Sequence, residues 1–506
     1  MYFRTFAALT AVALLLGCGG DPGSRAVVDE AIAVMGGLDK LEGVESIVRR
    51  GSGSRTMIGQ VRTPDDAPTA ANLTNYTEAL EFAGGRALVE YDLEFGAFQQ
   101  HRREAVTKHG RGIDATPVGY QMVGERGAVV STGALLSYSA FDTPAMALQR
   151  DVLNLMLMAN EETRASTRIA VATDFNGIPV RRVEIEFKGQ NVQLFFNPET
   201  SFLVGFEVME TDPFLGDVPV QYVFGGYRDV DELQVPHEMR ILKDGAEVAN
   251  MRYDSIGLNE MLPGTDYAIP EELAEQAETA SERESVPMEL TRLSRGVYQA
   301  VGFSHNSMVV EFPSYLVIVE APLNEIQTIA MMRAVREEFP LKPIRYAVAT
   351  HPHPGHVGGL RRLASIGATI LVEQRHEDTI RDVIEARHGY APDSLHTMAN
   401  TPGRSGDIGT IETFSGQHEL TDGNRTMQLF ALEDTSHVVP MVVAYLPADR
   451  ILFESDLYTP GSPAATPDST SLFESIEALE LRIDTIVGGH GATAEFSELA
   501  EVSKGS

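Results

Sequence analysis

The sequence predicts two globular domains of different class, a mostly antiparallel β domain followed by a layered α/β domain. The chain has 506 residues, which is more than one hydrophobic core normally spans. From residue 47 to about 258 the apolar residues recur with period two, whereas beyond residue 289 strands alternate with helical segments. Between these regions an acidic, proline-flanked stretch at 263–288 predicts a linker.

The chain begins with features of a signal peptide. Arg4 precedes an apolar stretch at 5–16, which is too short to span a bilayer and is typical of a signal-peptide core. The stretch ends in Leu-Leu-Gly-Cys, which resembles the lipobox of bacterial lipoproteins. The resemblance implies cleavage after residue 17, because in that family the cysteine becomes the new N-terminus and is lipidated.

Cys18 is therefore the predicted lipidation site, and residues 18–26 are the predicted tether. Gly19 stands where an inner-membrane retention signal usually carries aspartate, which favours the outer membrane, facing the periplasm. Cys18 is the only cysteine of the chain, so no intramolecular disulfide is possible. Stability must then come from packing.

The excess of acidic residues limits the kinds of partner that we expect the chain to bind. Asp and Glu total 72 against 40 Lys and Arg. Such a surface argues against a nucleic-acid partner, since phosphate contacts need Lys and Arg, and it disfavours adsorption to anionic lipid. We expect a small-molecule substrate and membrane attachment through the lipid anchor alone. Protein partners stay open.

The first domain is predicted over 27–262. Val27–Met35 has helical spacing, Met146–Met158 is a second, Leu- and Met-rich helix, and the rest alternates in the manner of Val183-x-Ile185-x-Phe187. By strand pattern and predicted location, the domain resembles the half-barrel of periplasmic lipoprotein carriers of the LolA/LppX type. That resemblance implies an acyl-chain cavity. The alternative is a structural or docking β domain.

The second half carries three histidines within six positions, directly after the predicted strand Arg345–Thr350. They are His351, His353 and His356. In an extended loop, residues two apart point the same way, so His351 and His353 can converge on one ion. Prolines on both sides of His353 stiffen the loop. The pattern predicts a metal site, and the alternative is an exposed histidine-rich loop.

Three further residues stand at or just beyond the ends of later strands. His437 lies between two strands, Asp456 ends a strand, and His490 lies in a Gly-Gly-His-Gly segment. Each has an ordinary structural explanation when taken alone, because single histidines are common and a strand-end aspartate often caps a helix. Their order along the chain is what indicates a common role for the three residues.

That order resembles the metallo-β-lactamase superfamily over residues 290–501. The family pattern is His-x-His-x-Asp-His, a later His, a bridging Asp after a Leu-Phe strand, and finally Gly-His. The resemblance implies an αββα sandwich over 289–506, with a metal site on one edge between the two sheets. It implies a first metal at His351, His353 and His437, a second at His356 and His490, and Asp456 as the bridge.

One position departs from the family pattern. Gly355 stands where the family has the aspartate that ligates the second metal, and glycine offers no ligand. The three-histidine set suits a catalytic zinc with an open position. We therefore expect one tight zinc site and a weak or partial second one. Upstream, Glu320 stands where the family often has a structural aspartate at a strand end, and His305 and Asn306 lie in an early hairpin loop that could border the cleft. For these residues a structural or surface role is favoured.

The predicted function is a metal-dependent hydrolase. Zinc lowers the pKa of a bound water from about 16 towards 7, which generates hydroxide for attack on a carbonyl or phosphorus centre. Asp456 is the carboxylate left near that water, and we predict that it orients the water and accepts its proton. Amide or lactam, thioester, lactone, sulfate ester and phosphodiester bonds stay open. The alternative is a degenerate domain, a binding or scaffold lipoprotein without turnover.

Overall fold

The structure is a computed structural model. It describes residues 23–504, with gaps at 96–97, 110–115, 124–125, 132–146, 149, 165–167, 188–189, 261, 263–266, 274, 276–287 and 303. The predicted signal peptide and Cys18 therefore lie outside the described residues, as does most of the predicted linker. None of the helices in the described ranges is both long enough and apolar enough to cross a membrane.

The first domain is one antiparallel sheet of thirteen strands. Its strands are β1 Ser46–Met57, β2 Thr69–Glu81, β3 Arg86–Phe95, β4 Phe98–His109, β5 Thr116–Val123, β6 Arg126–Ser131, β7 Val171–Phe175, β8 Ile178–Phe187, β9 Gln190–Phe196, β10 Leu203–Asp212, β11 Gly216–Val230, β12 Leu233–Lys243 and β13 Ala246–Leu258. Strands that follow one another in sequence pair, except where β1 joins β13 and β6 and β7 form the two edges. The predicted antiparallel β domain is confirmed.

Three helices of this domain pack on one face of the sheet. They are α1 Ser24–Val34, α2 Leu38–Glu42 and α3 Val152–Thr163. Leu155 and Met156 of α3 are buried in the same apolar cluster as Val183 and Leu194. The predicted helix at Met146–Met158 is interrupted rather than continuous. Ala147, Leu148 and Arg150 are helical, and α3 begins after Asp151, whose side chain caps it by accepting hydrogen bonds from two backbone amides. Met146 itself lies outside the described residues.

A buried ion-pair network lies between α3 and the sheet. The Glu78 carboxylate pairs with Arg49 at 2.7 Å and with Arg150 at 2.8 Å, and Arg49 also pairs with Asp151. All four side chains are almost fully buried. Burial opposes ionisation of Glu78, but the two guanidinium groups outweigh it and lower the pKa of the carboxyl. A small cavity here is lined by these four charged side chains and Glu238, together with apolar residues such as Phe224 and Met239, and buried charges of this kind do not suit an acyl chain.

The network gives a stability prediction. Glu78→Gln removes the carboxylate charge that two buried guanidinium groups share, and breaking a buried pair in this way costs about 3–5 kcal/mol. We expect the urea midpoint of the first domain at pH 7 to fall accordingly. Glu247→Gln is the control, because it removes one side of an exposed pair with Arg240 and such pairs contribute at most about 1 kcal/mol. Equal midpoints for the two variants would contradict the prediction.

The described part of the predicted linker is not a free tether. A short 3₁₀ helix, Glu271–Leu273, lies within it. Tyr267 and Leu273 are buried against Val48 and Leu88 of the first sheet, in a cluster separate from the one under the helices. Because the stretch is mostly acidic, its composition did not indicate that Tyr267 and Leu273 pack against the sheet.

The second domain contains two sheets. The first has strands β14 Glu289–Ser294, β15 Val297–Val301, β16 Asn306–Glu311, β17 Leu316–Val319, β18 Ile344–Ala349, β19 Thr369–Glu373 and β20 Ile411–Phe414. The second has β21 Gln417–Asp422, β22 Arg425–Leu432, β23 Met441–Leu446, β24 Ile451–Ser455, β25 Thr485–Gly488 and β26 Ala494–Glu495. Pairing is parallel from β17 to β20 and between β24 and β25, and antiparallel elsewhere.

The two sheets pack face to face with helices outside. Val317 and Val348 of the first sheet share a core cluster with Val442 and Phe453 of the second. The outer helices are α4 Glu325–Glu338, α5 Pro354–Val357, α6 Leu360–Ala364, α7 Glu377–Glu385, α8 Ser394–Ala399, α9 Pro467–Ala478 and α10 Phe496–Lys504, with 3₁₀ turns at Gln374–His376 and Ser405–Asp407. Helices α4 and α6 cover the first sheet, and α9 and α10 cover the second. The expected αββα sandwich is confirmed.

Candidate metal centre

The predicted ligands meet at one edge of the sandwich, each on a loop that follows a strand. His351 and His353 follow β18, and His356 lies in α5 directly after them. His437 lies between β22 and β23, whereas Asp456 and His490 follow β24 and β25. Both sheets therefore end at the site.

The first cluster consists of His351, His353 and His437. One ring nitrogen from each lies within 4.8 Å of those of the other two. His351 Nε2 is buried and has no hydrogen-bond partner among the described residues, and His437 Nε2 faces the Asp456 carboxylate at 3.3 Å. Buried polar atoms are normally satisfied, so the unpaired nitrogen of His351 fits the role of a metal ligand.

Asp456 lies between this cluster and two further histidines, His356 and His490. Its Oδ2 is 3.0 Å from His356 Nε2, 3.3 Å from His437 Nε2 and 3.9 Å from His351 Nε2. Its Oδ1 is 3.3 Å from His490 Nε2. The carboxylate thus faces both groups of histidines, which is the arrangement that a bridging ligand needs.

Glu320 orients two of the histidines from behind. Its Oε2 accepts a hydrogen bond from His356 Nδ1 at 2.8 Å. Its Oε1 accepts from the hydroxyls of Thr350 and Ser455, so Thr350 Oγ1 keeps a lone pair for His351 Nδ1 at 3.0 Å. Both Nε2 atoms are left facing the site. Partners of this kind fix the tautomer and direction of metal-ligating imidazoles.

His353 is held by the first domain. The loop between β1 and β2 reaches the site, and Val61 O accepts a hydrogen bond from His353 Nε2 at 2.8 Å. On the other side of the ring, Gln60 Nε2 lies 3.1 Å from His353 Nδ1. The same loop contacts the segment that carries His437, because Arg62 Nε donates to Thr435 O at 3.0 Å and Arg62 O accepts from Val439 N at 2.9 Å. Sequence reasoning did not identify Gln60 or Val61, since no local pattern links them to the histidines.

A second cluster contains a histidine that was expected at the surface. Ring nitrogens of His305, His356 and His490 lie within 4.8 Å of one another. His490 Nδ1 donates to Ser304 O at 2.8 Å, which leaves its Nε2 towards Asp456. Two sequence features together could have indicated a role for His305. It is a histidine in an early hairpin loop, and the chain lacks the expected aspartate ligand at position 355.

The electrostatics of the site favour neutral His351 and His353 and a protonated His356. Burial lowers the pKa of His353 to about 3, with a further contribution from His437, and it lowers the pKa of His351 well below the usual range. Burial also opposes the charge of His356, but Asp456 and Glu320 outweigh it and raise the pKa of His356 to about 10. Asp456 is buried, yet His356 and His490 hold its pKa well below the usual range.

The donor set indicates the class of cation. Imidazole nitrogens with a single carboxylate suit zinc and its transition-metal neighbours rather than magnesium or calcium, which prefer oxygen ligands. The residues present therefore fit a zinc-type metal.

A comparison with protein families agrees with the geometry. Residues 300–490 match the family model of the metallo-beta-lactamase superfamily. The match contains every predicted metal ligand and His305, and it leaves the first domain outside. The comparison with curated proteins found no match.

Solved structures similar to the metallo-beta-lactamase-like domain share little sequence with it. A metallo-beta-lactamase from Pontibacter korlensis is 16% identical, with 43% of this chain and 98% of that chain covered and a TM-score of 0.33. The DIM-1 metallo-beta-lactamase is 16% identical over 44% and 97%, with a TM-score of 0.34. The mono-zinc form of FIM-1 from Pseudomonas aeruginosa is 17% identical over 44% and 96%, with a TM-score of 0.33.

The role of Glu320 can be measured directly. In Glu320→Gln the amide cannot accept from His356, Thr350 and Ser455 as the carboxylate does, so two imidazoles lose their orientation. We expect zinc affinity to fall about 10- to 100-fold, as for other residues that hold metal ligands. Competition with a chromophoric chelator measures this change. Glu311→Gln is the control, since Glu311 pairs with Lys342 and not with a histidine of the site. If both variants bind zinc within twofold of the wild-type affinity, Glu320 does not orient the metal ligands.

Proposed function

We propose that the chain is a metal-dependent hydrolase that uses a metal-activated water. The observation that carries the proposal is the convergence of the His351, His353 and His437 ring nitrogens at a buried edge, with Asp456 beside them. The family match over residues 300–490 supports the same reaction class. Zinc, when bound, supplies an activated water at neutral pH and a Lewis acid for the substrate oxygen.

The side chains of the site have distinct roles in this proposal. His351, His353 and His437 hold the tight site, and Glu320 and Val61 O keep two of these rings turned inward. Asp456 is the proposed orienting group and proton acceptor for the water, because its carboxylate lies beside the first cluster. The β1–β2 loop covers one side of the site and brings Gln60 beside His353. Small periplasmic or envelope-derived molecules are the proposed substrates.

Metal content and turnover test the proposal together. We expect purified wild-type protein to contain at least about one zinc per chain and to hydrolyse a member of a chromogenic panel of lactam, lactone, thioester, sulfate-ester and phosphodiester substrates. His351→Ala should lower that activity about 1000-fold or more, because the metal supplies several kcal/mol of transition-state stabilisation. His101→Ala, which alters an exposed histidine of the first domain, should leave it unchanged.

The competing function is a degenerate binding or scaffold domain, and Gly355 is the observation that favours it. That function predicts little or no metal, or a metal-loaded protein that is inert on the whole panel. Either result would overturn the hydrolase proposal.

We further propose that the chain is a lipoprotein of the bacterial outer membrane, attached through Cys18 and facing the periplasm. The apolar stretch at 5–16 and the Leu-Leu-Gly-Cys segment support this location. The acidic surface agrees with it as well, since attachment by charge to anionic lipid is disfavoured.

Fractionation of cells tests the anchor. The wild-type chain should partition into the detergent phase and sediment with the outer membrane, whereas Cys18→Ser should lose the detergent-phase partition. Gly19→Asp should move the chain to the inner membrane, and Gly20→Ser is the control that should not. A wild-type chain in the soluble periplasmic fraction would contradict the anchor.

A further inference from the structure

An imidazole lies beside the backbone at the one position where the chain departs from the family's ligand pattern. A Cβ atom built on Gly355 would lie 2.9 Å from His305 Nε2. Real Cβ atoms essentially never make a contact that short. A side chain at position 355 and the observed position of His305 therefore exclude each other, and His305 fills the space that an aspartate at 355 would enter.

His305 also has the neighbours of a metal ligand. Its ring centroid lies 4.1 Å from that of His490 and 4.9 Å from that of His356. One ring nitrogen from each of the three lies within 4.8 Å of the others. On the open side of this group, Asp456 faces His356 Nε2 at 3.0 Å and His490 Nε2 at 3.3 Å.

The loop that carries His305 is fixed by hydrogen bonds to the loop that carries His490. Asn306 N donates to Gly489 O at 2.7 Å, and Asn306 Nδ2 donates to Gly491 O at 2.8 Å. Ser304 accepts from His490 Nδ1 through its carbonyl, and its Oγ lies 2.8 Å from His305 Nδ1. His305, His356 and His490 thus each have Nδ1 engaged by a neighbouring group, and the Nε2 atoms of His356 and His490 both face the Asp456 carboxylate.

We propose that His305 replaces the missing carboxylate and completes a second metal site with His356, His490 and Asp456. The inference rests on the proposed function, because it assumes that the first site also binds metal. Three imidazoles and one carboxylate make a four-ligand set for zinc or a neighbouring transition metal. The exchange removes one negative charge from the site relative to a carboxylate at position 355. Asp456 is then the carboxylate shared by both ions.

Metal titration of the full chain tests this assignment without any substrate. Wild-type protein should take up two zinc ions per chain in competition with a chromophoric chelator. In His305→Ala the first ion should keep its affinity, and the second should bind more than about 100-fold more weakly, since loss of a residue that only orients a ligand already costs about 10- to 100-fold. The absorption of cobalt(II) loaded into the second site should disappear with it.

Two further variants complete the experiment. His418→Ala, which alters a partly exposed histidine of β21, should bind both ions as wild type does. The double variant His305→Ala with Gly355→Asp should recover the second ion, because removal of the imidazole leaves room for the carboxylate. If His305→Ala loses both ions, recovery of both in the double variant supports the proposal and failure to recover either overturns it.

The remaining outcomes separate this inference from the proposed function. Two ions with unchanged affinity in His305→Ala, or a single ion in saturated wild-type protein, would overturn the role of His305 and leave the hydrolase proposal standing. A wild-type chain that binds no ion would overturn both, and the failure would then belong to the proposed function.

Discussion

Most histidines of the candidate centre are held by a hydrogen bond through one ring nitrogen, and the other nitrogen faces inward. His351, His356, His490 and His305 follow this rule, with partners from Thr350, Glu320 and Ser304. His353 is held at both nitrogens, by Val61 O and by Gln60 Nε2. An imidazole without such a partner can rotate or change tautomer, and its lone pair then leaves the site. The loops, the sheet ends and the contact between the domains all supply these partners.

This constraint explains why the first domain cannot be treated as a spacer. Val61 lies in the loop between two strands of the thirteen-stranded sheet, yet its carbonyl fixes a ring of the second domain. Another contact region supports the same docking: Asp217 of β11 accepts hydrogen bonds from the backbone amides of Gly389 and Tyr390 at 2.6 and 2.8 Å. With the domains held at two places, the position of Val61 depends on the fold of the whole first domain.

The sequence predicted the features that short patterns encode. Period-two alternation gave the antiparallel sheet, and the histidines after β18 marked the site, because a strand end and a two-residue spacing decide where His351 and His353 point. The predicted helix at Met146–Met158 was missing one break, since Asp151 caps a new helix in the middle of the apolar pattern. Gln60, Val61 and Glu320 act through contacts with residues far away in the chain, and local spacing carries no information about such contacts. His305 was underestimated for the same reason, as its proximity to Gly355 exists only after folding.

The charges of the site are consistent with a place for cations. Asp456 and Glu320 are buried beside His356 and raise the pKa of that ring to about 10 despite its burial. Asp456 also raises the pKa of His490. A buried carboxylate is costly unless positive charge accompanies it, and the proton on His356 provides such charge. A metal ion bound here would displace that proton, and the same carboxylates would then stabilise the ion. In the first cluster, burial holds the pKa values of His351 and His353 below the usual range, so these two imidazoles are neutral and can bind a cation without releasing a proton.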